Sequence, residues 1–305
     1  MSKKNKTFGI TYGSSGRGKT LAMVRAFPDA LFIAPRGALL SASYLGWEPR
    51  QLEADASMRV DRITKIIQQK SKDFPAIVID DFSLISDAEV AACKVARPNG
   101  YQAFDMFNKK VMEMKDAARN ADCHVFLTMH EQAPREVKKP GQTRWIPGSP
   151  LIAGWQLPEK LPAIADFVAR IVHDPSSHSG WPYVYDASGR DPEYITKDRL
   201  GVMPDIGFPM NLREILIAGG YDLPRPKELA WMEPHVERIS EIFMSEMEKK
   251  DADKREVLRA ELPALRSAGN NTKSEHIRWV LADAVDRAYI KKHKLSQVDL
   301  FIDSL

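Results

Sequence analysis

Residues 13–20 read Gly13-Ser14-Ser15-Gly16-Arg17-Gly18-Lys19-Thr20. They match the pattern G-x-x-x-x-G-K-[ST] in full, and they lie between an apolar run that predicts a strand, Phe8–Tyr12, and a run with helical spacing, residues 19–27. Glycines allow the backbone to fold into a concave nest of N–H donors, and a helix that starts there points its positive end into the nest. The strand, nest and helix together predict a site for phosphate groups.

The expected ligand of this segment, which we call the P-loop, is ATP with Mg²⁺. All eight P-loop residues are predicted to contact the nucleotide. Lys19 is expected to reach the β- and γ-phosphates and to act in catalysis, and the Thr20 hydroxyl is expected to ligate the metal. The alternative interpretation is a glycine-rich turn with an incidental Lys-Thr pair, and the flanking strand and helix argue against it.

A second apolar run, Ala76–Ile79, is followed by two acids, Asp80 and Asp81. In parallel α/β sheets, ligands bind beyond the carboxyl ends of the strands. We therefore predict that Asp80 is the Walker B carboxylate, which holds the metal together with Thr20. For Asp81 the sequence leaves two roles open: it orients the attacking water as a catalytic group, or it caps the next segment.

Another predicted strand, residues 124–128, ends close to His130. By the same rule, Thr128 and His130 are expected at the edge of the sheet where the phosphates bind. His130 is a candidate catalytic residue that senses the γ-phosphate, and Thr128 is a weaker candidate. The alternative is a polar pair that is satisfied by the local backbone.

Predicted strands and helices alternate over the first 130 residues. Besides the strands already named, an apolar run lies at residues 30–34, and helices are predicted over residues 59–70 and 104–119. This order predicts an α/β fold of the P-loop NTPase type, with a mostly parallel sheet and helices on both faces.

Beyond residue 129 the sequence changes in character. Residues 131–162 are rich in proline, glycine and charge, which predicts a loop, and the β-like segments 166–173 and 181–186 predict a hairpin. A short helix is expected over residues 210–218, ending at Gly219-Gly220.

Prolines at residues 224–226 indicate a linker. We therefore divide the chain into a RecA-like P-loop ATPase domain, residues 1–223, and a helical C-terminal extension, residues 224–305, which we expect to be dispensable for folding of the first domain. A capping box at Thr272 and Glu275 predicts the start of the last helix.

A basic cluster with an adjacent tryptophan lies in the predicted loop. Its members are Arg135, Lys138, Lys139, Arg144 and Trp145. Basic groups can follow a phosphate backbone and an aromatic ring can stack on an unpaired base, so the cluster is a candidate site for single-stranded DNA that ATP could order. The alternative is a solvated surface loop whose tryptophan packs locally.

Composition and charge restrict the kinds of partner and the cellular location that we expect. The chain has 305 residues and a net charge of +3, from 44 Lys and Arg against 41 Asp and Glu, so any nucleic-acid contact must be a local patch. Two cysteines without metal-like spacing indicate reduced thiols, and no apolar stretch is long enough for a membrane span. We therefore expect a cytoplasmic protein without a membrane partner.

With these residues identified, the chain resembles phage-encoded nucleotide-binding ATPases with a minimal RecA-like core, including single-strand-annealing recombinases. The resemblance covers roughly residues 7–220. It rests on the P-loop, Ile79-Asp80, Thr128-Met129-His130-Glu131, and the segment from Ile146-Pro147-Gly148 to Ala165-Asp166-Phe167-Val168-Ala169-Arg170. The chain departs from that pattern in its long helical extension and in the lack of an equivalent of the RecA catalytic glutamate.

The resemblance implies a DNA-dependent ATPase in the host cytoplasm that binds single-stranded DNA and assists recombination, annealing or replication. It also implies assembly into a ring or filament and action beside a single-strand-binding protein. Two alternatives remain: a helicase-loader-type replication accessory that docks on a helicase, and a P-loop nucleotide kinase. In an oligomer, Arg170, Arg190 or Lys197 could serve as a trans-acting finger.

Overall fold

The computed structural model of the chain describes most of the sequence. The described residues are 6–55, 58–139, 142–154, 156–175, 182–203, 207–247, 261, 263–265 and 274–302. Within these ranges, no helix has both the length and the apolar character needed to cross a membrane.

The strands of the described residues are numbered in chain order. They are β1 (Phe8–Tyr12), β2 (Leu31–Ala34), β3 (Arg50–Glu53), β4 (Ala76–Ile79), β5 (His124–Met129), β6 (Glu131–Gln132), β7 (Arg135–Lys139), β8 (Gln142–Ile146), β9 (Ser149–Pro150), β10 (Phe167–His173), β11 (Tyr183–Asp186), β12 (Lys197–Asp198) and β13 (Phe208–Pro209).

The helices follow the same numbering. They are α1 (Lys19–Ala26), α2 (Val60–Lys70), α3 (Phe82–Ala96), α4 (Gly100–Arg119), α5 (Leu157–Ile164), α6 (Leu212–Ala218), α7 (Met232–Met247) and α8 (Ser274–Ile302). Two 3-10 helices, Ala38–Leu45 and Lys227–Leu229, lie between them.

The main sheet has a parallel centre. Its strands run in the order β13-β11-β10-β1-β5-β4-β2-β3, with β12 also paired to β10. All pairs from β10 to β3 are parallel, whereas β11, β12 and β13 join antiparallel. Because β5 lies between β1 and β4, the carboxyl ends of these three strands meet at one edge of the sheet.

Helices cover both faces of the sheet. On one face, α2, α3 and α4 bury an apolar core that includes Phe107, Val111 and Met114 of α4, all fully buried. These positions recur at intervals of three and four residues, which places them on one side of a helix. On the other face, α1 shares a core with α6, α7 and α8. The predicted fold class, a mostly parallel α/β sheet covered by helices with further helices at the C-terminus, is confirmed.

The C-terminal helices do not form a core of their own. Trp279 and Val280 of α8 are buried in the same apolar cluster as Met23 and Val24 of α1. Burial of a side chain of this size contributes roughly 1.5–3 kcal/mol, so α8 adds substantially to the core beneath the sheet. The division at residue 223 remains a prediction.

Charged side chains between α1 and α8 form buried ion pairs. Arg25 of α1 donates from Nε to Asp283 Oδ1 at 2.6 Å and from a terminal nitrogen to Asp286 Oδ2 at 2.7 Å. Asn211 donates to the same two carboxylates, at 3.0 and 3.2 Å, and Arg225 also pairs with Asp283. A buried carboxylate that loses its cation is strongly destabilising. Truncation at residue 223 would remove both carboxylates together with α8, and the expectation that residues 1–223 fold without the extension stays a prediction.

Several elements differ from the sequence-based prediction. Residues 131–162 are not a loop, because β6 to β9 lie within them and α5 begins there. The sequence analysis also missed β3 and α3. β3 is an edge strand of sequence Arg-Gln-Leu-Glu that is largely exposed, so it carries no apolar run that would identify it. The capping box predicted at Thr272 lies outside the described residues.

Replacement of Arg25 by Met should lower the free energy of unfolding by about 3–5 kcal/mol, because it removes the cation that pairs with buried Asp286 and one of the two cations that pair with buried Asp283. Chemical denaturation measures this change. Lys70→Met is the matched control, since Lys70 pairs with Asp73 at 2.9 Å but both side chains are about half exposed, at 53% and 51%. The control should lose less than about 1 kcal/mol. Equal losses in the two variants would show that the buried pairs do not hold α8 to α1.

Candidate phosphate-binding site

The P-loop connects β1 to α1 at the carboxyl edge of the sheet. Gly18 caps α1 with φ of 82°, a left-handed conformation that side-chain-bearing residues avoid. Gly13 lies so close to β10 that an added Cβ would be 3.1 Å from Ile171 Cβ. The two glycines thus have different tasks: one starts the helix and the other lets the loop pack on the sheet. Ser15 and Gly16 form the exposed crest of the loop.

Lys19 lies beneath this crest and is only 8% exposed. Its Nζ donates to the carbonyl oxygens of Gly13 and Ser14, both at 3.0 Å. Burial lowers the pKa of Lys19, and the nearby carboxylates of Asp81 and Asp80 oppose that shift. An anionic ligand at the loop would favour the charged form of Lys19 further.

The predicted metal ligands lie side by side. Thr20 Oγ1 donates to Asp80 Oδ2 at 2.7 Å, and Thr128 Oγ1 donates to the other oxygen of the same carboxylate. Asp80 is 4% exposed, so the two hydroxyls satisfy a buried charge. The bonds join the start of α1 to the carboxyl ends of β4 and β5.

The donor set around Asp80 fits Mg²⁺ on a nucleotide better than a metal held by protein alone. Thr20 and Asp80 supply hard oxygen ligands. Among the described residues, no group of three or more His, Cys, Asp or Glu side chains could enclose a metal ion. Mg²⁺ in nucleotide sites commonly uses one or two protein oxygens and completes its shell with phosphate oxygens and water.

Asp81 occupies a position between two partners. Its Oδ1 accepts from the backbone N–H of Ser83 at 2.8 Å and so caps α3, and its Oδ2 lies 2.7 Å from His130 Nε2. Burial raises the pKa of Asp81, while the Ser83 N–H and His130 lower it. The capping role that the sequence left open is present, and the same carboxylate also meets His130.

Ser83 is a structural member of the site that the sequence analysis missed. Its Oγ donates to the carbonyl oxygen of Leu151 at 2.7 Å and accepts from the backbone N–H of His130 at 2.9 Å. The hydroxyl therefore joins α3, the end of β5 and the segment after β9. The Asp81-x-Ser83 spacing could have predicted a helix start, but not a contact with a residue 68 positions away.

The predicted DNA loop is a hairpin rooted next to His130. β7 and β8 pair antiparallel, with Arg135 opposite Ile146 and Glu136 opposite Trp145. Its base is closed by pairing of β6 with β9 and by the Leu151 N–H, which donates to the His130 carbonyl at 2.7 Å. The Trp145 side chain is 51% exposed. The side chains of Lys138, Lys139 and Arg144 lie outside the part of the chain that the structure describes.

Arg170, one of the suggested trans-acting fingers, has partners within its own chain. Its Nε donates to Glu131 Oε2 at 2.8 Å, and its guanidinium lies 3.1 Å from the ring centre of Tyr194. These contacts link β10 to the residue after His130. They favour a role of Arg170 in fixing the base of the hairpin.

Asp80 and Asp81 should give different defects when each is changed to Asn. Asp80→Asn should retain nucleotide binding but need more Mg²⁺ and turn over about 100-fold more slowly, because a charge at the metal is lost. Asp81→Asn should slow turnover without changing the Mg²⁺ requirement, since Asn still caps α3. ATPase rates over a Mg²⁺ titration measure both effects. A raised Mg²⁺ requirement in Asp81→Asn but not in Asp80→Asn would mean that Asp81 is the carboxylate that ligates the metal.

A protein-family model described as an AAA domain matches residues 5–200, which is well over half of the chain. No curated protein matches the sequence. The family match supports the predicted nucleotide-binding ATPase, whereas the resemblance to phage annealing recombinases remains a prediction. By this match and by its mostly parallel P-loop sheet, the chain belongs to the AAA-domain family of P-loop ATPases.

Proposed function

We propose that this protein binds ATP with Mg²⁺, hydrolyses it, and couples hydrolysis to the binding of single-stranded DNA. The observation that carries the proposal is the pair of hydrogen bonds from Thr20 and Thr128 to Asp80, directly beside the P-loop. They bring a metal-ligating hydroxyl and carboxylate together next to the Lys19 ammonium. The three groups are the ones that phosphoryl transfer requires around the terminal phosphates.

In this proposal, the backbone N–H groups of the P-loop and the Lys19 ammonium hold the phosphates. Thr20 and Asp80 would hold Mg²⁺, which would supply positive charge against the phosphate oxygens. Water attacks the γ-phosphorus, its proton passes to the Asp81–His130 pair, and the bond to the oxygen bridging to the β-phosphate breaks to release ADP. Capping of α3 fixes Asp81 in place for that proton transfer.

The hairpin of β7 and β8 supports the coupling to DNA. His130 contributes to the proposed proton acceptor through its ring and to the hairpin base through its carbonyl. Loss of the γ-phosphate would therefore affect the base of the hairpin through a single residue, His130. The exposed Trp145 offers a ring on which an unpaired base can stack. Assembly into a ring or filament, and partnership with a single-strand-binding protein or a helicase, remain predictions.

The proposal requires an ATPase activity that increases when single-stranded DNA is added. Steady-state phosphate release, with and without an unstructured oligonucleotide, measures it. Lys19→Ala should abolish both the basal and the stimulated rate and should bind triphosphate poorly, because the phosphates lose their direct cation. A Lys19→Ala protein with wild-type ATP affinity would refute the P-loop assignment, and a wild-type rate indifferent to DNA would refute the coupling.

Two variants of the hairpin should weaken DNA binding in different ways. Lys138→Ala with Lys139→Ala should reduce the slope of log affinity against log salt by about 0.7 per lost phosphate contact. Trp145→Ala should instead weaken binding by about 1–3 kcal/mol at every salt concentration. Fluorescence anisotropy with a labelled oligonucleotide and a non-hydrolysable ATP analogue measures both.

The matched control is Lys70→Ala with Lys72→Ala. These two lysines are exposed and precede β4, at the opposite edge of the sheet from the P-loop. The control should leave the affinity and the salt dependence unchanged. Unchanged DNA binding in both hairpin variants would show that the hairpin does not contact the strand.

A further inference from the structure

Helix α3 has two apolar sides. One side packs toward the sheet and contributes Ile85, Val90 and Cys93 to the core. The opposite side carries Leu84 and Val95, whose side chains are 55% and 85% exposed. A helix that is apolar on both sides is normally covered on both of them. The outer side of α3 is therefore a surface that suits a further layer of protein.

Two alanines lie between Leu84 and Val95 on this outer side. Ala88 is half-buried and Ala91 is exposed. The four residues follow one another at intervals of four, three and four, the spacing of alternating d and a positions in a heptad. We call these four residues the outer seam. It runs straight along α3 for about 16 Å, and the alanines at its centre allow another helix to approach closely.

The outer seam is complementary to itself. When two helices pack antiparallel, the a positions of one meet the d positions of the other. A two-fold axis at the middle of the seam therefore places Leu84 of each copy beside Val95 of the other, and Ala88 beside Ala91. Small side chains meet where the helices cross, and larger ones fill the space toward the ends, where crossed helices diverge. The same surface on two copies of the chain thus fits itself.

Charged side chains beside the seam favour the same arrangement. Asp87 and Lys94 are both exposed, and each directly precedes an a position, so they lie on one flank of the seam. In an antiparallel pair these flanks face each other, and Asp87 of each copy lies about 3 Å along the axis from Lys94 of the other. Within the described residues neither side chain forms an ion pair, and Lys94 Nζ lies 5.5 Å from the ring centre of Phe104.

We propose that two copies of this chain associate through the outer seam of α3 as an antiparallel helix pair. The contact is isologous, so it closes at two copies, unlike the head-to-tail contacts of a ring or filament. It is also short, which implies a dissociation constant on the order of micromolar. The proposal is independent of the proposed function, because it uses no side chain of the phosphate site or of the hairpin.

Analytical ultracentrifugation of the full-length protein, over a range of concentrations, measures the association. The wild type should pass from monomer to dimer as the concentration rises. Ala91→Arg places a charge at the centre of the seam and should raise the dissociation constant at least about 100-fold. Ala230→Arg is the matched control, because Ala230 is also exposed but precedes α7, on the opposite face of the sheet. The control should associate as the wild type does.

Exchange of the two charges tests the orientation of the helices. Asp87→Lys should weaken the dimer about tenfold, because it turns two attractions into two repulsions. Addition of Lys94→Asp to that variant should restore the wild-type dissociation constant, since the pairs are then present with their signs exchanged. A variant that is merely less stable is not repaired by a second charge reversal, and thermal unfolding of every variant checks that it folds.

Three results would overturn the proposal. A wild-type protein that stays monomeric at about 100 µM would do so, and would leave the seam to a helix of another protein. A dimer that survives Ala91→Arg, or that Ala230→Arg weakens equally, would show that the copies meet through a different surface. A dimer that Ala91→Arg disrupts but that neither Asp87→Lys nor the double exchange alters would overturn the antiparallel pairing.

Discussion

The buried carboxylate of Asp80 lies between two hydroxyls that come from different parts of the sheet. Thr20 approaches from the start of α1 and Thr128 from the end of β5, and each donates to one oxygen. A charge with 4% exposure persists only where such donors compensate it. The arrangement requires β5 between β1 and β4, so the order of the central strands and the chemistry of the site depend on each other.

Sequence reasoning located the parts of this site that follow local rules. The P-loop pattern, the apolar strand Ala76–Ile79 and the acid after it are signals within a few residues, and the structure places Thr20 and Asp80 in contact as that reasoning predicts. The contact of Ser83 with Leu151, the hairpin rooted at His130 and the ion pairs of Arg25 join residues far apart in the chain. No local period or composition encodes such pairings, which is why the sequence did not reveal them.

Local patterns also failed to show that the C-terminal helices pack on the rest of the protein. Prolines at residues 224–226 and a charged helical pattern predict an appendage, because charge on a helix usually indicates a solvated face. Asp283, Asp286 and Arg287 are instead buried, and they form ion pairs with residues of α1, α6 and α7. A sequence shows that these side chains are charged. Only the fold shows that the charges face one another inside the protein.

Helix α1 therefore contributes both to the phosphate site and to the ion pairs with α8. Its first turn carries Lys19 and Thr20 at the phosphate site, and one turn further on Arg25 holds the carboxylates of α8. A ligand that contacts the P-loop and also requires α8 to be docked stabilises that docking by the free energy it gains from the contact. The coupling is reciprocal: whatever loosens α8 must weaken that ligand by the same amount.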